Sequence, residues 1–177
     1  LPTRKSLFGG LKLYGCWPFD DVFVYDFSWT NLTESGEPKT HPKETLDFIL
    51  LKDDVYLVKV DEAEDKAMLP LDIQIILTIR ILNPYKALFQ IQNWLEAVKN
   101  RIEPAIRDCV TKDTYEDWIA EPKDLGKRIF ASLKKKNGIV AELKTRYGAD
   151  LRALGVRSIN PSGDFRGVTV KKVTAEK

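Results

Sequence analysis

The stretch LDIQIILTIRILNPYKALFQIQ, residues 71–92, decides the fold of this chain. Its first half alternates strictly, and every second residue is apolar: Ile73, Ile75, Leu77, Ile79 and Ile81. Because successive side chains of a strand point to opposite faces, this pattern predicts a strand with one face on a core and the other wet or lightly covered. Asn83-Pro84 then ends the strand, since proline donates no ladder hydrogen bond. The apolar residues that follow are spaced as in a short helix.

Three further strands are predicted before this stretch. The segment Val22–Trp29 alternates and is rich in aromatic residues, which favours a strand. Residues 30–44 are polar and contain glycine and proline, so they predict a loop. Thr45–Leu51 and Val55–Val60 are then expected to pair as a hairpin across a turn at Lys52-Asp53-Asp54. An acidic turn, Asp61–Lys66, leads into the alternating strand.

The chain becomes helical after this strand. Apolar residues from Trp94 to Cys109 recur every three or four positions, with Asn93 as a plausible N-cap. Pro104 lies inside this pattern and is expected to kink or break the helix near Arg101. Thr114 is placed to cap another short helical segment.

A third helical pattern, Asp124–Tyr147, has one apolar stripe and a weak point at Asn137-Gly138. Gly148 is suited to the left-handed position that follows a helix, and Ala149–Ile159 predicts a last strand. The terminal segment Phe165–Lys177 is rich in valine, and helix and strand remain open for it.

The order of these elements predicts an α+β fold, in which an antiparallel β-sheet packs with helices and is followed by a long helix and a final strand. We expect one domain over residues 1–177. Within it, residues 7–92 are mainly β, residues 93–163 are mainly helical with the last strand, and residues 164–177 are a candidate start of a helical exit.

Composition limits the classes of function. The chain has 177 residues, of which 44% are hydrophobic and 31% charged, the balance of a soluble globular domain. Its formal net charge of +2 gives no basic excess, which argues against nucleic acid as a partner. A run of about 18 apolar residues, as a membrane-spanning helix needs, is missing from the sequence, and so is a signal peptide pattern.

The residues for catalysis or metal binding are sparse. Cys16 and Cys109 lack CxxC spacing, so buried free thiols are the expected state, and the single histidine, His41, excludes a multi-histidine metal site. A Cys–His nucleophilic pair would need His41, which falls in the predicted loop with nothing visible to orient it. Phosphate-binding glycine loops and hydrolase motifs do not occur. We therefore expect no enzyme, no cofactor and no metal.

Several segments resemble the band 7 or SPFH family, which includes stomatin, prohibitin and flotillin. The strand-to-helix segment Thr78–Leu88, with its Asn-Pro-Tyr-Lys-Ala-Leu, is similar to a family motif. So are Ala105-Ile106-Arg107-Asp108 in the first helix, the helix Leu125–Gly148 with the strand after it, and the entry Gly9–Val22. The resemblance covers about residues 7–165 and depends on order and spacing together.

This resemblance implies a membrane-associated scaffold that forms large rings or cages and organises membrane microdomains or regulates membrane proteases. It implies homo-oligomers, contact with membrane lipid through an anchor segment outside residues 1–177, and a coiled coil after them. An upstream apolar span of ~20 residues is expected on this basis. A membrane protease or another membrane protein is the implied partner.

Two surfaces are candidates for these contacts. Near the start of the chain, Arg4, Lys5, Leu7 and Phe8 combine basic and apolar side chains as at a bilayer interface. The charged faces of the third helical pattern suit lateral self-association, and their candidate interface residues are Lys127, Arg128, Lys134, Lys135 and Glu142. The alternative function is a soluble adaptor that binds a peptide at an exposed edge of the Val22–Trp29 strand.

Overall fold

The structure is a computed structural model that describes residues 23–163 apart from 34, 121, 136 and 137, with backbone only for 122–124. Its strands are β1 (Tyr25–Leu32), β2 (Pro38–Leu46), β3 (Asp53–Glu64), β4 (Pro70–Ile81) and β5 (Ala149–Pro161). Its helices are α1 (Trp94–Val110), α2 (Tyr115–Ala120), α3 (Pro122–Lys135) and α4 (Ile139–Glu142). Two short π-helical turns, Lys86–Gln90 and Leu143–Tyr147, complete these elements.

An antiparallel sheet with the order β3-β4-β5 forms the centre of the molecule. The alternating stretch is its middle strand, and every second residue of β4, from Leu71 to Ile81, is buried. The residues between them are only half-buried, which confirms the predicted one-sided core. The strand ends at Ile81, just before Asn83-Pro84, and a π-helical turn follows it as the short helical spacing predicted.

Helices α1 and α3 cover the isoleucine face of the sheet. Helix α1 packs beside β3, and α3 packs beside β5 so closely that a Cβ on Gly126 would lie 3.3 Å from the Gly155 Cα. Both helices and all three strands contribute to one hydrophobic core. The predicted cap is confirmed, because the Asn93 side chain accepts a hydrogen bond from the Glu96 N–H.

Pro104 does not break the first helix. Helix α1 runs from Trp94 to Val110 with this proline inside it. The proline is exposed, whereas its neighbours Ala105 and Ile106 are buried, so the apolar face of the helix packs on both sides of it. Packing of that face provides most of the stability of a helix in a protein and outweighs the one hydrogen bond that proline removes.

The first strands differ from the prediction. Residues 30–44 were expected to form a loop, but β1 continues to Leu32 and β2 returns from Pro38, giving a separate two-stranded sheet. The predicted strand Thr45–Leu51 is wrong, since β2 ends at Leu46. The predicted hairpin between residues 45–51 and 55–60 is also wrong: β3 pairs with β4 instead. Because β2 is polar and almost wholly exposed, it carries no apolar alternation from which a strand could be predicted.

The long helix predicted for Asp124–Tyr147 is interrupted. Helix α3 ends at Lys135 and α4 begins at Ile139, with Gly138 left-handed at a φ of 61°. The apolar stripe nevertheless continues across the interruption through Leu125, Ile129, Leu133 and Leu143, all fully buried. Gly148 has a φ of 68°, which confirms its predicted left-handed position before β5.

Candidate functional site: an apolar end of the sheet

The most unusual surface lies at the end of the sheet where β3 and β5 begin and β4 ends. Three segments meet there: the residues before β1, the β2–β3 connection and the β4–α1 connection. Eleven large hydrophobic side chains are exposed among the described residues, and eight of them lie in these segments. The eight, which we call the apolar end, are Phe23, Val24, Phe48, Leu50, Leu51, Leu82, Tyr85 and Phe89.

The side chains of the apolar end are substantially exposed rather than marginally so. Their exposed fractions run from 39% for Leu50 to 61% for Tyr85. Soluble monomers seldom leave large apolar groups clustered in this way, and such patches usually contact a protein or a membrane.

Ring contacts hold part of this surface together. The ring of Phe23 lies 4.6 Å from that of Phe89, which in turn stacks at 5.5 Å on Tyr85. The Tyr25 hydroxyl donates a hydrogen bond of 2.9 Å to the Phe48 carbonyl oxygen, and burial raises the pKa of this phenol. The residues before β1 are thereby joined to both connections.

The β4–α1 connection has a defined backbone conformation. The Gly148 carbonyl oxygen accepts hydrogen bonds from the N–H groups of Leu82 and Asn83, at 2.8 and 3.1 Å. The Asn83 side chain accepts one from the Lys86 N–H, and the Lys86 ammonium donates to the Thr145 carbonyl oxygen. Lys86 is thus a structural contact beside the apolar end, consistent with a position at the strand-to-helix switch.

A row of charged side chains crosses the sheet just behind the apolar end. Arg80 pairs with Asp53 at 2.8 Å, and Arg152 lies 3.2 Å from Asp150 and 3.9 Å from Asp53. The Arg80–Asp53 pair is half-exposed, the kind of pair that contributes little to stability, whereas Asp150 is buried. These charged side chains mark where the apolar surface ends and a polar one begins.

The candidate oligomer-interface residues lie on α3 and α4, away from this end. Arg128 pairs with Asp113 at 2.6 Å and stacks over the Trp118 ring, and the Lys134 ammonium lies 4.4 Å from the centre of the Phe130 ring. Lys127 and Lys135 are exposed.

Glu142 lies in α4 and is bound within the chain. Its carboxylate accepts two hydrogen bonds from Arg101, at 2.9 and 2.7 Å, and lies 3.6 Å from Arg146. Glu142 therefore joins α4 to α1.

The candidate membrane-facing residues Arg4, Lys5, Leu7 and Phe8 lie outside the described residues, as do the predicted entry Gly9–Val22, Cys16 and the segment Phe165–Lys177. The described chain begins at Phe23, within the apolar end.

His41 is oriented, contrary to the prediction for a loop residue. It lies in β2, its ring stacks on Trp29 at 4.4 Å, and its Nδ1 lies 2.6 Å from a Glu44 carboxylate oxygen. Cys109 is a buried free thiol as predicted, and burial raises its pKa, so it is a poor nucleophile.

Within the described part of the chain, no cluster of three or more His, Cys, Asp or Glu side chains is arranged to hold a metal ion. The same residues contain no helix that is long and apolar enough to cross a bilayer.

Sequence reasoning missed the apolar end as a unit. The sequence predicts the apolar run Phe48–Leu51 as part of a strand, and Tyr85 and Phe89 as part of a short helix. One local signal was available: Phe48–Leu51 stands directly against Lys52-Asp53-Asp54, and apolar residues beside a charged turn are often exposed at a loop tip.

A model of the SPFH domain / Band 7 family matches residues 10–177. No curated protein sequence matches the chain.

Proposed function

Because this chain belongs to the SPFH domain / Band 7 family, whose members are generally membrane-associated, non-enzymatic scaffolds, we propose that it is a scaffold domain that rests its apolar end on a bilayer. On this proposal it assembles side by side with further copies into large rings or cages. Such assemblies would organise membrane microdomains or regulate membrane proteases.

The apolar end is the observation that carries the proposal. Its eight exposed side chains include four aromatic rings besides Leu and Val, and aromatic rings are favoured at the level of the lipid headgroups. Burying such side chains in the acyl boundary is favourable by roughly 25 cal/mol per Å² of apolar surface. From the sequence alone, we further propose that Arg4, Lys5, Leu7 and Phe8 contact the lipid.

Lateral assembly would use the helical side of the domain. We propose that Lys127, Lys134 and Lys135, which lie along α3, meet acidic groups of a neighbouring copy. Arg128 and Glu142 take part as well, although their ion pairs with Asp113 and Arg101 must then be shared or exchanged. The homo-oligomer and any partner protease are proposals that rest on the family alone.

The peptide-binding alternative receives less support. Its candidate strand, β1, pairs along its length with β2 and packs against β3. Much of the polar segment after this strand, residues 30–44, which was predicted to be a loop, is part of β2.

Vesicle co-sedimentation tests the membrane contact. We expect the triple variant Phe48→Ser, Leu51→Ser, Tyr85→Ser to bind vesicles of phosphatidylcholine and phosphatidylglycerol at least about tenfold more weakly, because it removes three large apolar groups from the contact. All three positions are exposed, so the fold should be preserved.

The matched control is Met68→Ser. Met68 is 81% exposed and lies in the β3–β4 turn, at the opposite end of the sheet. It should leave vesicle binding unchanged. Equal loss in both variants, or none in the triple variant, would contradict the proposed orientation.

A further inference from the structure

We propose that the cavity between β1, β2 and β3 beside the apolar end binds the choline headgroup of a phosphatidylcholine lipid. The inference rests on the proposed function, since it assumes that this end faces a bilayer. The cavity has a volume of about 280 Å³. Drug-sized ligands occupy clefts of roughly 300–1,000 Å³, so this cavity suits a small group.

Aromatic rings form much of the cavity wall. The six that line it are Tyr25, Phe27, Trp29, Phe48, Tyr56 and Trp94. Phe27 stacks on Trp29 at 5.3 Å and on Trp94 at 5.4 Å, and Tyr56 meets Trp94 edge to face at 5.5 Å. Phe27 and Trp29 are each stacked between two rings, so the faces available to a cation are those of the other four. Such faces carry negative potential, and proteins use several of them around one space as a cage to bind quaternary ammonium groups.

The charges of the cavity also favour a cation. Glu44 and Asp54 contribute carboxylates to its lining, and no lysine or arginine is among its described lining residues. The Asp54 carboxylate forms a side-chain hydrogen bond with Tyr56. The Glu44 carboxylate forms one with His41 Nδ1. A trimethylammonium group has no N–H to donate, so it needs this kind of apolar, acidic surrounding rather than directed acceptors.

An unpartnered donor belongs to the lining of the same cavity. Trp94, which lines the cavity, is 2% exposed, and its Nε1 has no hydrogen-bond partner. A buried indole N–H usually finds an acceptor, and a phosphodiester oxygen next to the ammonium group would supply one.

The position of the cavity indicates a lipid as the source of the choline. Phe48 and Leu50 line it and also belong to the exposed apolar end. A lipid at that surface would therefore have its headgroup close to the cage while its acyl chains stayed in the bilayer. Methylated lysine peptides and free choline carry the same cation but would use none of this apolar surface.

Calorimetric titration with choline chloride tests the cage. The control ligand is 3,3-dimethyl-1-butanol, a neutral molecule of the same shape. We expect saturable binding of choline and none of the alcohol. The variant Glu44→Gln, Asp54→Asn should weaken choline binding about tenfold or more, since it removes both charges at nearly constant volume. The control is Asp47→Asn. Asp47 lies in the β2–β3 connection but does not line the cavity, so this variant should change choline binding by less than about twofold.

Vesicles then test the lipid source. Phosphatidylcholine and phosphatidylethanolamine with identical acyl chains have the same net charge and differ in the methyl groups on nitrogen. We expect the wild-type chain to prefer phosphatidylcholine vesicles by about fivefold or more, and the double variant to lose this preference while still binding. The variant Leu51→Ser, Tyr85→Ser leaves the cavity lining unchanged, so its weaker binding to both kinds of vesicle reports on the proposed function separately.

Each other outcome overturns the inference. Equal binding of choline and its neutral isostere would refute the cation cage. Choline binding without a preference among vesicles would refute the lipid source, as would tighter binding of a trimethyl-lysine peptide than of phosphatidylcholine vesicles. Vesicle binding that ignores the headgroup but requires Phe48, Leu51 and Tyr85 would leave the proposed function standing and remove the choline site.

Discussion

At the scale of single residues, Asp65 shows how one buried carboxylate can join distant parts of the chain. It is 4% exposed, and it accepts three backbone hydrogen bonds of 2.8 Å from Ala67, Leu69 and Tyr115. Two of these shape the β3–β4 turn, and the third holds the start of α2. A buried charge is tolerated because each of these donors stabilises it.

We expect Asp65→Ala to lower the free energy of unfolding by about 3 kcal/mol, because three partly buried N–H groups lose their acceptor. Urea denaturation measures this change. Asp61→Ala, an exposed carboxylate near the same end of β3, should cost less than about 0.5 kcal/mol. Similar costs for the two variants would show that Asp65 does not hold the turn.

At the scale of elements, Gly148 fixes how β5 follows the second π-helical turn. Its φ of 68° is left-handed, and an added Cβ would lie 2.5 Å from the Asn83 carbonyl oxygen. The same residue's carbonyl oxygen holds the N–H groups of Leu82 and Asn83. The glycine therefore positions the connection that carries part of the apolar end.

The variant Gly148→Ala should lose about 2 kcal/mol or more of stability, from the left-handed conformation and from the contact with Asn83. Thermal unfolding measures the loss, and hydrogen exchange should be faster at the amides of Leu82 and Asn83. Gly155→Ala is the control: a Cβ there meets no atom within 4 Å, so we expect a change within about 1 kcal/mol. Equal effects at the two glycines would contradict this role.

How well an element could be predicted followed from how much of it is buried. Strand β4, helix α1 and strand β5 were predicted from their periodic apolar residues, because each buries one face on the shared core. Strand β2 has no such face: it contains Pro38 and Pro42 and is held by pairing with β1 and by the stack of His41 on Trp29. Pairing of this kind depends on the partner strand and leaves no pattern in β2 itself.

The same physics explains what the sequence could not reveal about the candidate sites. Apolar residues predict burial by default, so Phe48, Leu50 and Leu51 were placed in a strand, whereas they are exposed. The aromatic cage joins residues from β1, the β2–β3 connection, β3 and α1, and only the folded chain brings them together. The candidate interface residues on α3 were predicted from their charge alone. Charge does not predict which of these side chains form ion pairs within the chain.

At the scale of the whole molecule, the apolar and charged surfaces are separated. The apolar end lies at one end of the sheet, the row of Arg80, Asp53, Arg152 and Asp150 lies behind it, and the lysines of α3 lie along the helical side. A domain that rests one end on a bilayer leaves its sides available for neighbouring copies. This arrangement fits a family of membrane-associated scaffolds and needs no catalytic group.

The most direct measurement of the central claim is the polarity around single labelled sites when vesicles are added. The parent chain carries Cys16→Ser and keeps the buried Cys109, so it should take up no label. One new cysteine, Leu51→Cys or Met68→Cys, is then introduced and labelled with an environment-sensitive fluorophore. With vesicles of equimolar phosphatidylcholine and phosphatidylglycerol, we expect blue-shifted, brighter emission from position 51 and unchanged emission from position 68. Unchanged emission at both positions, or an equal shift at both, would contradict the claim that the apolar end rests on the membrane.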